Sequence, residues 1–198
     1  MKKEEELIMV IKKEKLFQKD YFEGFSFAKE INFKRRILDG FEYLKRKDVE
    51  NNENYKQPII YVVLVNENKS IFTYQRATKD KDYTEKRLQG KWSIGIGGHV
   101  DKEDESARDP IESSVLREIK EEVRAEIKEL KLVGYINNDS NSVGKVHFGL
   151  LYLAEVSGDV ASNDSEIKTS KMMQFEDIKN IEMEDWSKIS LKVIEHLL

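Results

Sequence analysis

Three carboxylates, those of Glu118, Glu121 and Glu122, fall within one turn of a predicted helix in the run LREIKEEV, residues 116–123. Residues three and four apart share one face of a helix, so all three acids lie on the same side. Like charges at this spacing repel each other, and a helix that keeps them must solvate them or neutralise them with a cation. Mg²⁺ and Mn²⁺ are the oxygen-preferring cations for such a cluster, and Mg²⁺ in proteins usually accompanies phosphate. The run therefore predicts a helix with a metal-binding face.

A glycine-rich strand end, GIGGHVD at residues 95–101, comes shortly before this helix. Residues 92–100 alternate with glycines and predict a strand that ends in a tight turn. Asp109 followed by Pro110 is a helix start signal, with aspartate at the N-cap and proline at the first helical position. Apolar residues then recur every four positions until about Arg124, which predicts the length of the helix.

The rest of the chain predicts strands that are joined mostly by hairpins, with helices near both ends. Apolar and β-branched runs predict strands at residues 7–11, 59–65, 70–76, 130–136, 146–156 and 167–175. Mixed three- and four-residue spacing of apolar residues predicts helices at residues 29–46 and 186–198. This irregular alternation favours an α/β (α+β) fold with a mixed sheet flanked by helices over a regular βαβ winding.

One internal boundary is suggested by residues 47–57, KDVENNENYKQ, which are polar and rich in asparagine. We therefore expect an N-terminal extension, residues 1–57, packed on a main domain formed by residues 58–198. The extension carries no recognisable motif. It either covers the sheet, mediates formation of a homodimer or shapes the substrate pocket.

The composition excludes several classes of protein. The absence of cysteine rules out disulfides, thiolate zinc sites and cysteine nucleophiles, and it suggests a reducing interior. A net charge of −4 argues against DNA or RNA as a partner, because proteins that bind nucleic acids carry a basic patch. No apolar run approaches the roughly 20 residues that span a bilayer, and the charged start MKKEEE is not a signal peptide. We therefore expect a cytoplasmic protein with no membrane partner.

The strand, the Gly-Gly turn and the carboxylate helix together resemble the signature of the Nudix (MutT-like) hydrolase family. That signature reads Gly, five residues, Glu, seven residues, and then Arg-Glu-apolar-x-Glu-Glu-x-Gly-apolar. Here Gly97 and Gly98 open it, and REIKEE, residues 117–122, matches its core residue for residue. The lead-in also resembles Nudix members that are described only as predicted phosphoesterases. The resemblance implies a Nudix-type α/β/α sandwich with a mixed, mostly antiparallel sheet.

The chain departs from the signature in three places. The segment between Gly98 and Arg117 is about five residues longer than the signature allows, and residues 102–108 are the predicted insertion. Counted back from Arg117, the position of the signature's first Glu is Asp109, which is either a shortened acid of the site or a helix cap. Arg124 replaces the signature's last Gly, so the helix is expected to run further.

The resemblance implies a metal centre on the predicted helix. One to three Mg²⁺ (or Mn²⁺) ions would be held by the three acids of the helix and by the backbone carbonyl of Gly98. Those acids are Glu118, Glu121 and Glu122. Arg117 would not touch substrate, and it would instead brace the acidic helix through an ion pair.

Further roles follow from the same resemblance. Either Glu121 or an acid in another loop would act as the general base, and Glu166 is the candidate outside the helix. Arg76 and Lys91 are candidate ligands for phosphate oxygens. His99 either binds substrate or supports the turn.

The predicted reaction is Mg²⁺-dependent hydrolysis of a diphosphate bond in a nucleoside diphosphate linked to another moiety. Such hydrolysis needs charge neutralised on phosphate oxygens, a positioned water and a group that accepts its proton. The alternative is a catalytically weak Nudix-fold module that binds or senses a nucleotide. An activity like that of isopentenyl diphosphate isomerase is disfavoured, because that chemistry depends on a cysteine. The family selects its substrates through loops outside the signature, here residues 77–90 and 137–144, so the signature does not identify the nucleotide.

Overall fold

The computed structural model describes residues 3–76, 90–106, 109–163 and 167–198. Within these ranges, no helix is both long and apolar enough to cross a membrane. The side chain of Arg76 and all of Glu166 lie outside the described residues, as does most of the predicted substrate loop at residues 77–90.

Strands and helices alternate irregularly along the described chain. The strands are β1 (Leu7–Lys12), β2 (Gly24–Phe27), β3 (Glu42–Lys45), β4 (Tyr55–Asn66), β5 (Ile71–Arg76), β6 (Trp92–Ser93), β7 (Gly95–Ile96), β8 (Val123–Asn137), β9 (His147–Ser162) and β10 (Ile167–Met173). The helices are α1 (Lys13–Phe17), α2 (Phe33–Gly40), α3 (Arg46–Val49), α4 (Pro110–Glu122), α5 (Ser142–Val146), α6 (Phe175–Ile178) and α7 (Asp185–Glu195). Two short 3₁₀ helices, Lys3–Glu5 and Lys102–Ser106, complete the list.

The chain divides into two compact units, each built from three stretches. The first unit comprises Met1–Tyr61, Gly97–Glu118 and Leu132–Tyr152. The second comprises Val62–Ile96, Ile119–Lys131 and Leu153–Leu198. The predicted extension, residues 1–57, falls inside the first unit together with part of the predicted main domain, and the division at residue 57 stays a prediction.

The first unit combines antiparallel strand pairs with an aromatic core. Strand β1 pairs with β3 and with the start of β4, and β2 pairs with the end of β8. The rings of Phe33, Tyr135 and Phe148 pack on one another with centroids 5.2–5.7 Å apart. Phe17 adds an edge-on contact to Phe148 at 5.9 Å. Phe148 is fully buried in this core.

The second unit is built around β5. Strand β5 pairs antiparallel with β10, β6 and the end of β4, and Val65 opposite Ile71 closes the predicted hairpin. Helix α7 is tied to β6 by a buried hydrogen bond of 2.7 Å from the Ser93 hydroxyl to the carboxylate of Glu184. An isolated bridge between Trp92 and Met183 is parallel. The predicted mixed, mostly antiparallel sheet is therefore confirmed.

Residues 29–46 do not form the single helix predicted from their spacing. Helix α2 ends at Gly40, and the chain continues as β3, in which Tyr43 lies opposite Met9 of β1. The polar linker predicted at residues 47–57 contains the end of α3 and the start of β4. Pairing with β1 thus outweighs the helical periodicity of the apolar residues at 41 and 44.

Helix α4 begins as predicted, but the expected extension past Arg124 is wrong. The helix ends at Glu122 and strand β8 starts at the next residue, Val123. The sequence VRAEIK alternates apolar and charged residues, which is the two-residue period of a strand. This change of period ends the helix without a glycine.

Candidate functional site

The Gly-Gly turn lies against the middle of β4. Gly97 has a φ of +131°, and a Cβ there would stand 2.1 Å from the carbonyl oxygen of Ile60. The backbone N–H of Ile60 donates to the carbonyl oxygen of Gly98 at 2.8 Å. Only glycine fits position 97, because a side chain would meet the backbone of β4. The Gly98 carbonyl keeps a second lone pair that can accept a further donor or ligand.

The carboxylate of Glu118 lies directly over Gly98. A Cβ added to Gly98 would be 2.8 Å from Glu118 Oε1, so any side chain at position 98 would collide with this carboxylate. Glu118 is only 8% exposed. The first unit therefore brings together two of the predicted ligands, the Gly98 backbone and Glu118.

Arg117 is surrounded by protein acceptors. Its Nη1 donates to Glu118 Oε1 at 2.9 Å, and its Nη2 donates to the carbonyl oxygen of His99 at 3.1 Å. Its Nε and Nη2 donate to the two carboxylate oxygens of Asp104 at 3.2 and 3.1 Å. Burial disfavours the charged guanidinium, but Asp104, Glu118 and Asp101 outweigh it, and the pKa of Arg117 is raised. Arg117 thus links the turn, the carboxylate of Glu118 and the segment that precedes α4.

Asp104 is a residue that the sequence prediction missed. It lies in the 3₁₀ helix Lys102–Ser106, inside the predicted insertion, and it is 4% exposed. Besides holding Arg117, its Oδ2 accepts the backbone N–H of Asp101 at 3.1 Å. A signal was available, because Asp104 stands at the signature's Gly-x5-Glu distance when the count runs forward from Gly98. Counting backward from Arg117 leads to Asp109 instead.

Asp109 caps helix α4. Its Oδ1 accepts the backbone N–H groups of Ile111 and Glu112 at 3.0 and 3.1 Å, and its Oδ2 forms a 2.8 Å ion pair with Lys34. Lys34 also contacts the carboxylate of Glu112, which accepts a hydrogen bond from Tyr152. Burial disfavours the charged ammonium of Lys34, but its two acidic partners raise its pKa. Of the two alternatives for Asp109, these contacts favour the helix cap.

Asp101 ends the turn and borders the Arg117 network. Its Oδ2 lies 3.4 Å from Nη2 of Arg117. Burial raises the pKa of Asp101 to about 6, with Arg117 acting in the opposite direction and Glu6 adding to the rise. Asp101 is therefore protonated more readily than an ordinary aspartate.

His99 is partly buried and is held by neighbouring side chains. Its Nε2 lies 2.8 Å from the side-chain oxygen of Gln57, and its ring meets that of His147 edge-on at 5.4 Å. Burial, with the nearby His147 and Arg46, lowers the pKa of His99 well below its usual value. These contacts match a support for the turn, while binding of substrate by His99 stays a prediction.

The other two acids of the helix lie on its last turn. Glu121 is exposed and Glu122 is partly buried. The backbone carbonyl of Glu122 accepts the N–H of Asn163 at 2.8 Å. Across the described part of the chain, no three acidic or histidine side chains are arranged to hold a metal ion. The available donors are nevertheless carboxylates and a backbone carbonyl, the hard oxygens that Mg²⁺ and Mn²⁺ prefer.

The structure places the predicted phosphate ligands and two aromatic residues of the second unit as follows. Lys91 is partly buried, directly before β6, and Arg76 is the last residue of β5. Tyr74 is 2% exposed and donates to the carbonyl oxygen of Gly95, so it belongs to the core. Trp92 lies under the ammonium of Lys171, 5.7 Å from the ring centroid. The phosphate-binding roles of Arg76 and Lys91 stay predictions.

Comparison with known proteins supports the resemblance seen in the sequence. The model of the NUDIX domain family matches residues 55–197. Protein YmaB of Bacillus subtilis (strain 168) is 29% identical over 210 residues, which cover 98% of this chain and all of that protein.

Solved structures show the same fold. Tm1382, assigned to the Nudix hydrolases, superposes with a TM-score of 0.82 at 28% identity, covering 98% of this chain and all of that one. The NUDIX domain of Shewanella oneidensis NrtR, complexed with ADP ribose, gives 0.56 at 17% identity over 72% of this chain and 89% of that one. The MutT NUDIX hydrolase of Burkholderia pseudomallei gives 0.53 at 20% identity over 69% of this chain and 96% of that one. The chain therefore belongs to the Nudix family, and residues 55–197 form a Nudix hydrolase domain.

Proposed function

We propose that this Nudix hydrolase cleaves the diphosphate bond of a nucleoside diphosphate linked to another moiety, and that the reaction requires Mg²⁺ or Mn²⁺. The observation that carries the proposal is the buried carboxylate of Glu118, which lies over Gly98 and is held by Arg117. An acid so placed is desolvated, oriented and next to the backbone of Gly98. This is an arrangement suited to hold a hard cation.

The residues of the site would have separate roles in the proposed hydrolysis. Glu118, Glu121 and Glu122, which lie on one helix, would hold the metal together with the Gly98 carbonyl. When bound, the metal neutralises charge on the diphosphate oxygens and lowers the pKa of a bound water. Arg117 has its donors engaged by protein acceptors, which supports a role in orienting Glu118 rather than in binding substrate.

The general base is proposed to be Glu121, because it is exposed on the last turn of α4 and could accept a proton from water. Glu166 remains the alternative base. Arg76 and Lys91 are proposed to bind phosphate oxygens.

The test is a phosphate-release assay with and without Mg²⁺ on nucleotide sugars, dinucleoside polyphosphates, nucleoside triphosphates and ADP-ribose. ADP-ribose is included because the Shewanella oneidensis NrtR domain was solved with it. Glu121→Gln and Glu122→Gln are expected to lower kcat by at least about 100-fold. Glu126→Gln is the matched control, because Glu126 is an exposed acid just beyond the helix, in β8.

Two outcomes would contradict the proposal. Activity that survives in both variants would show that Glu121 and Glu122 are not required for the reaction. Tight nucleotide binding without turnover, insensitive to EDTA, would support the nucleotide-binding module instead.

A further inference from the structure

Lys56 is a fully buried lysine whose ammonium is enclosed by one segment of the chain. Its side chain is 0% exposed. Nζ donates to Asp139 Oδ1 at 2.6 Å, to the carbonyl oxygen of Gly144 at 2.7 Å and to that of His147 at 3.1 Å. An ammonium has three donors, so all three N–H groups are used. All three acceptors belong to residues 138–147, which we call the 138–147 segment.

The segment closes on itself around this ammonium. Asn141 Oδ1 accepts the backbone N–H of Gly144 at 3.0 Å and caps helix α5. A Cβ on Gly144 would stand 1.7 Å from the carbonyl oxygen of Asn138, so the middle of the segment meets its start backbone to backbone. Lys56 therefore restrains an already compact loop at its start, its middle and its end.

Burying this ammonium is unfavourable in itself. Desolvation lowers the pKa of Lys56 to about 8, although the hydrogen bond and the charge of Asp139 act in the opposite direction. Lys13, 3.6 Å from the other oxygen of Asp139, adds repulsion. A well-packed apolar residue often stabilises a core as well as a buried ion pair does. Unlike an apolar residue, Lys56 fixes the position of the 138–147 segment through its three hydrogen bonds.

The 138–147 segment adjoins the proposed catalytic turn through two contacts in the first unit. Gln57, next to Lys56 in β4, contacts the ring of His99, which directly follows Gly98. The ring of His147, whose carbonyl accepts Lys56, meets the ring of His99 at 5.4 Å. One stretch of β4 thus carries the anchor of the turn and the anchor of the segment.

We propose that the 138–147 segment forms a wall of the substrate site, where it contacts the moiety joined to the diphosphate, and that Lys56 is its positioning residue. This inference rests on the proposed hydrolase function. Lys56 does not touch the reacting atoms. Its replacement therefore changes substrate binding and selectivity more than the chemical step.

The test compares Lys56→Met with Lys188→Met in steady-state kinetics on each substrate that the wild type cleaves. Lys188 is the control, because it is an exposed lysine outside the segment, where it pairs with Asp185 in α7. Lys56→Met is expected to raise KM by at least about 10-fold and to change kcat by less than about 3-fold, with an altered ranking of substrates. Lys188→Met is expected to change neither value. An unchanged KM in folded Lys56→Met, or a loss confined to kcat, overturns the proposal.

Hydrogen exchange supplies a readout that needs no substrate. Backbone amides of the 138–147 segment are expected to exchange faster in Lys56→Met, while those of α4 stay unchanged. If Lys56→Met does not fold because Asp139 loses its buried partner, Lys56→Met/Asp139→Asn removes both charges and takes its place. Equal exchange rates in the variant and the wild type would refute the restraint. If the wild type cleaves nothing while exchange changes as expected, the hydrolase function fails and the restraint stands.

Discussion

Replacing Asp104 with asparagine is expected to destabilise the protein by about 2–3 kcal/mol. The change keeps the size of the side chain but removes the charge from a 4% exposed carboxylate. Two charge-assisted hydrogen bonds to Arg117, at 3.2 and 3.1 Å, lose their acceptor charge. Breaking a fully buried ion pair costs about 3–5 kcal/mol. We expect the smaller loss of about 2–3 kcal/mol here, because the side chain of Arg117 is 19% exposed and keeps Glu118 and Asp101 as partners.

Urea unfolding with linear extrapolation measures this loss, and the midpoint is expected to fall by about 1 M. The matched control is Glu103→Gln. Glu103 lies in the same 3₁₀ helix, 3.8 Å from Nε of Arg117, but its side chain is 71% exposed. Its removal should cost less than about 0.5 kcal/mol. Equal effects of the two changes would refute the assignment of Asp104 as the buried partner of Arg117.

The remaining predictions concern the turn, the helix cap and one perturbed acid. Gly97→Ala should destabilise the protein by about 3 kcal/mol or more, because the new Cβ is strained by the positive φ and collides with Ile60. Gly158→Ala should cost only about 1 kcal/mol, because Gly158 has a φ of +66° but open space around it. Thermal unfolding of the two variants measures the difference. Asp109→Ala should cost about 1–2 kcal/mol in urea unfolding, through loss of the cap. Folded Asp101 keeps its proton until about pH 6, whereas the unfolded chain loses it near pH 4. As the pH rises from 4 to 6, the free energy of unfolding of the wild type should therefore fall relative to that of Asp101→Asn. Parallel curves of unfolding free energy against pH for the two proteins would contradict this.

Local signals in the sequence predicted the elements that local geometry controls. Asp109 and Pro110 marked the start of α4, and the apolar runs at residues 59–65 and 70–76 marked the two strands of the β4–β5 hairpin. The prediction failed where a distant strand decided the outcome. Leu44 continues the helical spacing of the apolar side chains before it, yet residues 42–45 form β3 because β1 lies beside them.

The acids of the candidate site also divide into those that the sequence predicted and one that it did not. The spacing of Glu118, Glu121 and Glu122 on one helix follows from the backbone period and was readable from the sequence. That Asp104 holds Arg117 was not predicted, because the spacing of the signature leads to Asp104 when counted from Gly98 but to Asp109 when counted from Arg117. The short 3₁₀ helix turns Asp104 toward the guanidinium, and this depends on how residues 102–106 fold.

The sequence by itself determined the family, the acidic helix and the need for glycine at the turn, because each depends on residues close together along the chain. Only the tertiary structure decided which carboxylate holds Arg117, and that Lys56 is buried beneath the 138–147 segment. A sequence alone does not distinguish buried charged residues from exposed ones. Their burial, and with it their partners and pKa values, depends on contacts between residues that lie far apart in the chain.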